Sequence, residues 1–228
     1  MKTILLVLTV LASALDAPAQ GLILFDDASA SLLTRVSTNS VEGGPATGRT
    51  AVAGGLYYYA LFYSTTATTV GGNSDAVVGV NGFYAFDDPN WNFVALGTNG
   101  VSPGRFLSTV QNTDGSTTVS GVPGNSAASF VVAGWSASMG TNLAAVKSYF
   151  DLVEYDQNDW IGQSSVSGLI TVGNGTGSPP ALLFGLTSPN IPGFTLGEAP
   201  AFLPEPSTSA LAAAGVAAAL FFRRRLSV

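Results

Sequence analysis

Between residues 20 and 203, short apolar runs alternate with pairs that favour positive-φ turns, and no other feature restricts the fold as much. The pairs are Asn81-Gly82, Asn99-Gly100, Asp114-Gly115 and Asn174-Gly175, with Pro123-Gly124 and Ser178-Pro179-Pro180 marking loops. The runs between them carry the two-residue period of strands. Residues 56–63 (LYYYALFY) are apolar on both faces, as in a strand covered on both sides. Alternation puts Tyr57, Tyr59 and Tyr63 on one face and Tyr58 with Phe62 on the other. Residues 127–136 (AASFVVAGWS) read as a central strand. Further strands are expected over 21–25, 76–80, 92–96, 105–111, 117–120, 168–172 and 194–196. One segment departs from the pattern. Residues 141–150 (TNLAAVKSYF) space Leu143, Val146 and Phe150 as on a helix, with Thr141 as its cap. The expected fold is mainly β: an antiparallel β-sandwich, Ig-like or jelly-roll-like, with one short helix.

The two ends differ from this middle. Lys2, the apolar stretch 4–15 and Ala17-Pro18-Ala19 have the order of a secretory signal peptide, cut between Ala19 and Gln20. Ala12-Ser13-Ala14 is a weaker site, since cutting there shortens the apolar stretch. Twelve residues of helix span only about 18 Å, too little for a bilayer core of roughly 30 Å. At the other end, Pro204-Glu205-Pro206-Ser207-Thr208 precedes an apolar stretch over 210–222 and then Arg223-Arg224-Arg225. The Arg block should stop transfer and stay cytoplasmic, leaving the preceding chain outside the membrane. The organisation read from these signals is a signal helix over 1–19, an exported β domain over 20–203 and a hydrophobic tail helix over 204–228.

The C-terminal layout resembles the PEP-CTERM sorting domain in all three of its parts, in order, behind a signal peptide. The resemblance implies that an exosortase, a transpeptidase-like membrane protease of Gram-negative bacteria, recognises and processes the tail. Such bacteria often make exopolysaccharide and biofilm. The domain over 20–203 also resembles the β-rich cargo attached to such tails, which implies no active site.

Composition removes whole classes of chemistry. The chain has no Cys and no His, so it lacks disulfides, thiol nucleophiles, His-dependent triads and the usual zinc ligands. Residues 20–203 contain four basic residues (Arg35, Arg49, Arg105, Lys147) against twelve acidic ones. Nucleic acid, which needs clustered cations, is therefore not an expected partner. Lys147 has Ala144 three residues before it, so no Ser-x-x-Lys motif exists there. The stretch 173–177 (GNGTG) looks like a phosphate loop, but it runs into Ser178-Pro179-Pro180 without a Lys or a helix.

Weaker candidates remain. Glu154, Asp156 and Asp159, and separately Asp87-Asp88, are loop carboxylates of the type glycosidases pair across a cleft. No cofactor is expected apart from calcium, for which Asp156, Asp159 and Asp114 sit in suitable oxygen-rich loops. Trp91 and Trp160, beside acidic loops, are the expected platforms if the domain binds sugar. The sequence thus points to a non-enzymatic exported surface or matrix protein. A carbohydrate-binding module for exopolysaccharide is the alternative, and a secreted glycoside-active enzyme a more distant one.

Overall fold

The computed structural model describes residues 20–27, 34–39, 47–50, 54–78, 82–150 and 159–199. The segments 1–19 and 204–228, with Glu154 and Asp156, lie outside them. The described chain is mainly β. In order it forms β1 (Gln20–Leu24), β2 (Val36–Asn39), β3 (Gly48–Arg49), β4 (Tyr57–Ser64), β5 (Val77–Val78), β6 (Asn92–Asn99) and β7 (Phe106–Ser108). It continues as β8 (Thr117–Pro123), β9 (Ala127–Ser136), helix α1 (Leu143–Phe150), β10 (Trp160–Gln163), β11 (Ile170–Thr171), β12 (Ala181–Leu182) and β13 (Phe194–Glu198).

The strands form a three-stranded sheet, β12-β1-β8, and a larger one that curves as a half-barrel. The larger sheet runs β3-β2-β13-β10-β9-β4-β6-β7, with β5 added on β10 and β11 on β9. Most pairings are antiparallel, as expected, but two are not. β13 lies parallel to β2, with Phe194 opposite Val36, and β12 lies parallel to β1, with Ile23 opposite Ala181. Parallel neighbours need a long return through other elements. β2 and β13 lie far apart in sequence, with most of the domain between them. Local patterning cannot signal such a pairing.

β9 and β4 show how the alternation builds the core. Ala128, Phe130 and Val132 of β9, with Tyr59 and Leu61 of β4, pack toward Ile23 of β1, Phe25 just after it, and Val119 and Val122 of β8. Val131, Ala133 and Trp135, with Ala60 and Phe62, face the opposite way. That second face is covered by Val70, Tyr84, Phe86 and Trp91 from the connections around β5 and by Val146 of α1. Each fully buried side chain of this size contributes about 1.5–3 kcal/mol. The double cover explains why residues 56–63 show no polar face.

α1 matches its expected span, but Asn142 caps it rather than Thr141. Asn142 Oδ1 accepts the Ala145 amide at 2.9 Å, and its carbonyl accepts the Val146 amide at 3.1 Å. The expected turn at Asn99-Gly100 is also displaced. Asn99 closes β6 with its side chain buried, and its Oδ1 accepts the amides of Leu56 and Tyr57 at 3.0 and 3.1 Å. Asp114-Gly115 and Asn174-Gly175 do turn at a positive-φ glycine, at 80° and 72°.

Candidate functional site

Ala199, the last described residue, lies at one end of the larger sheet, and the strand registers identify which side chains share that end. Glu198 of β13 lies opposite Trp160 of β10. The Trp160 amide donates to Ser136 Oγ at 3.0 Å, and Ser136 lies opposite Tyr57 of β4. Asn99 ends β6 beside them and lies opposite Phe106. Two connections emerge here: residues 54–56, which lead into β4, and residues 100–105, which close on themselves through the Gly100 amide and the Arg105 carbonyl at 2.7 Å. Leu56 (46% exposed) and Val101 (91%) project from these connections, and Trp160 and Tyr57 at the same end are half-buried against the core. The opposite end of the sheet holds the β8–β9 hairpin and Gln20, which pairs with Pro123. Residues 20 and 199 therefore sit at opposite ends of the domain.

Behind this end is a buried polar network. Asp159 is fully buried and accepts the hydroxyls of Ser138 and Tyr149, while its carbonyl accepts the Ala199 amide at 2.7 Å. The carboxylate thus ties α1 to the turn after β9, and the carbonyl of the same residue holds the end of β13. Both carboxylate oxygens are engaged by protein, which argues against Asp159 as a calcium ligand or a surface acid. Asp114 is exposed, but its Oδ1 accepts the amide and hydroxyl of Ser116 at 3.0 and 2.6 Å. Those bonds hold its carboxyl below the usual range. It closes a turn. No group of three or more acidic residues that could hold a metal ion occurs among the described residues.

Trp91 is corrected as well. It is 6% exposed, it packs in the core of the second face, and its Nε1 donates to the Thr69 carbonyl at 3.0 Å. The flanking acidic residues made it look like a loop platform. Asp88 instead pins that loop by accepting the amides of Gly71 and Asn90 at 3.0 and 2.9 Å. Partial burial raises the Asp88 carboxyl, but these bonds outweigh burial and lower it overall. Of the two tryptophans, Trp160 alone keeps part of its ring accessible. The loop 173–177 is filled from within, because Asn174 Oδ1 accepts the amides of Thr176, Gly177 and Ser178 at 3.0, 2.9 and 2.8 Å. The concavity that could cradle a phosphate is occupied by that oxygen.

Asp27, which no sequence pattern marked, is the most perturbed carboxyl among the described residues. It is 1% exposed, and its Oδ1 accepts the Phe106 amide at 2.6 Å. Arg105, itself buried, donates Nη1 to the Asp27 carbonyl, and Arg35 adds a second positive charge nearby. Burial pushes the Asp27 carboxyl up to about 7, against the opposing pull of the Phe106 amide and the two guanidinium groups. Arg35, Arg105 and Arg49 interact closely enough that three of the four basic residues of 20–203 form one cluster. Only the scarcity of cations could have drawn attention to them. A cleft of about 230 Å³ opens beside Arg35, lined by Thr34, Ser37, Phe194 and Thr195 among others.

No helix among the described residues is long and apolar enough to cross a membrane. No curated protein and no solved structure matches the chain. Residues 203–225, beginning four residues beyond Ala199, match the PEP-CTERM protein-sorting motif. The chain therefore carries a PEP-CTERM protein-sorting motif over residues 203–225, and that motif implies export and processing by exosortase, a membrane enzyme.

Proposed function

We propose that the protein is a non-enzymatic component of the cell surface or extracellular matrix, delivered by its tail. In this reading 1–19 is a cleaved leader, 20–203 is the cargo and 204–228 is the sorting segment. The cargo's two sheets act as a β-sandwich, with helices flanking it only in the precursor. The supporting observation is the sorting motif four residues beyond the last described residue of a domain in which Asp27, Asp88, Asp114 and Asp159 are held by structural hydrogen bonds.

A second reading is favoured by the cleft beside Arg35. Hydroxyl side chains next to a guanidinium suit an acidic exopolysaccharide, with the cation on its carboxylate or sulfate groups. A pull-down on the producer's own polysaccharide, compared with Arg35→Gln, separates the two readings.

Mass spectrometry of the protein recovered from cells and from medium tests the main reading. It predicts Gln20 as the N-terminus and loss of the Arg223-Arg224-Arg225 block. A released form retaining residues 204–228 would overturn it, as would normal release after deletion of those residues.

A further inference from the structure

We infer that the exit end of the larger sheet, carrying Leu56, Val101, Tyr57 and Trp160, rests on the phospholipid surface while the tail is still anchored. The inference rests on the reading of 210–222 as membrane-inserted before processing.

Tether length supplies the first argument. Ala199 is the last described residue, and the apolar stretch begins at Ala210, eleven residues later. In any conformation, eleven residues reach at most about 40 Å. β9 has ten residues, so the larger sheet is about 30 Å long from the exit end to the β8–β9 hairpin. To bring the hairpin end to the bilayer, the tether would have to run back along that whole length, around the flank, and through the headgroup layer. The remaining ~10 Å does not allow this. The exit end therefore faces the membrane.

The second argument is what that end presents. Val101 is 91% exposed and Leu56 46%, and each sits on a short connection at the sheet end rather than on a sheet face. Trp160 and Tyr57, half-buried against the core, begin β10 and β4 at the same end of the sheet. Aromatic rings with one polar edge, together with projecting aliphatic side chains, favour the boundary between headgroups and acyl chains. The charge at this end argues against attraction to anionic lipid. Glu198 lies opposite Trp160, and Asp151, Glu154 and Asp156 precede Trp160 in sequence. The contact is therefore apolar, suited to zwitterionic lipid and insensitive to salt.

The absence of Cys makes the test direct. The full chain is recovered from the cytoplasmic membrane of its host, carrying one of Leu56→Cys, Val101→Cys, Thr171→Cys or Val216→Cys. Each variant is labelled with an environment-sensitive fluorophore and reconstituted in phosphatidylcholine vesicles containing brominated lipid. Thr171, exposed and paired with Ala127, reports the hairpin end, and Val216 reports the tail. Labels at 56, 101 and 216 should lose most of their emission, at low and high salt alike, and the label at 171 should keep the emission it has in water. Quenching at 216 with none at 56 and 101, or equal quenching at 171, would overturn the inference and leave the tail reading intact. An unquenched label at 216 would overturn both.

Discussion

The amide of Phe106 points at the carboxylate of Asp27, 2.6 Å away, in a part of the molecule closed to solvent. The same two residues meet through their backbones, the Asp27 amide donating to the Phe106 carbonyl at 3.3 Å. The contact joins the chain after β1 to the edge strand β7 of the other sheet.

The pH dependence of stability follows from it. The folded chain holds the Asp27 proton up to about pH 7, whereas the unfolded chain releases it near 3.8. The stabilisation is complete below the unfolded value and is lost as pH rises through about 7. The change is at most about 4 kcal/mol, from roughly three pH units at 1.4 kcal/mol each. No His titrates in this window. Denaturant unfolding of residues 20–203 should give a lower midpoint at pH 8 than at pH 5, and Asp27→Asn should remove most of the difference. Equal midpoints for the unsubstituted domain would contradict this.

Asp159→Ala should destabilise the domain by about 3 kcal/mol or more, since hydrogen bonds to a charged group contribute about 1.5–3 kcal/mol each. Both Ser138 and Tyr149 would lose their acceptor. Tyr149→Phe should cost less. A double-mutant cycle with Asp159→Asn should show coupling between the two positions. Strict additivity would mean that the hydroxyl and the carboxylate do not act together.

Gly162 lies in β10 against β13, where an added Cβ would fall 2.4 Å from the Thr195 carbonyl oxygen and 3.0 Å from Leu196 Cα. Both are backbone atoms of a paired strand and cannot rotate away. Gly162→Ala should therefore cost about 1–3 kcal/mol, the usual range for overpacking. Gly177→Ala, with nothing within 4 Å, should be close to neutral. Thermal melting of the pair decides it, and similar melting temperatures would refute the packing argument.

Glu205→Ala should leave the domain folded and cause unprocessed chain to accumulate in the membrane. Glu205 is the one charge between Glu198 and Arg223, so it is the natural handle for a protease. Changing Arg223, Arg224 and Arg225 to Asn should instead let uncleaved chain pass outward. Holding each guanidinium on the cytoplasmic side reflects a cost of about 2.5–3.5 kcal/mol for moving it into hydrocarbon. Fractionation and size comparison in the host distinguish the two. Normal processing of Glu205→Ala would remove that residue from the recognition argument.

The parts of the fold that were legible in the sequence depend on local pattern. β9 appears at its expected bounds, and β4 and α1 lie within two residues of theirs, because alternation, helical spacing and turn glycines are encoded within a few residues. β10 was missed. Its four residues, WIGQ, follow an acidic stretch and show no alternation, yet three strands pair with it. Its strand character comes from those neighbours. β2, β3 and β12 are short for the same reason and were equally hidden. The tail was readable because a sorting signal must work as linear sequence. Trp91, Asp159 and Asp27 were misread or overlooked because burial depends on partners 10 to 79 positions away, such as Tyr149, Thr69 and Phe106.

β13 is held on both edges, by β2 running the same way and β10 running the opposite way, and it is the last strand among the described residues before the motif at 203–225. In the anchored precursor proposed above, tension from shear flow or from neighbouring cells would enter the fold along the axis of that strand. The bonds on either side of β13 would be loaded together, lengthwise, and would have to fail as a group rather than unzip one by one. A cargo domain built this way can remain folded under a mechanical pull on its own sorting signal.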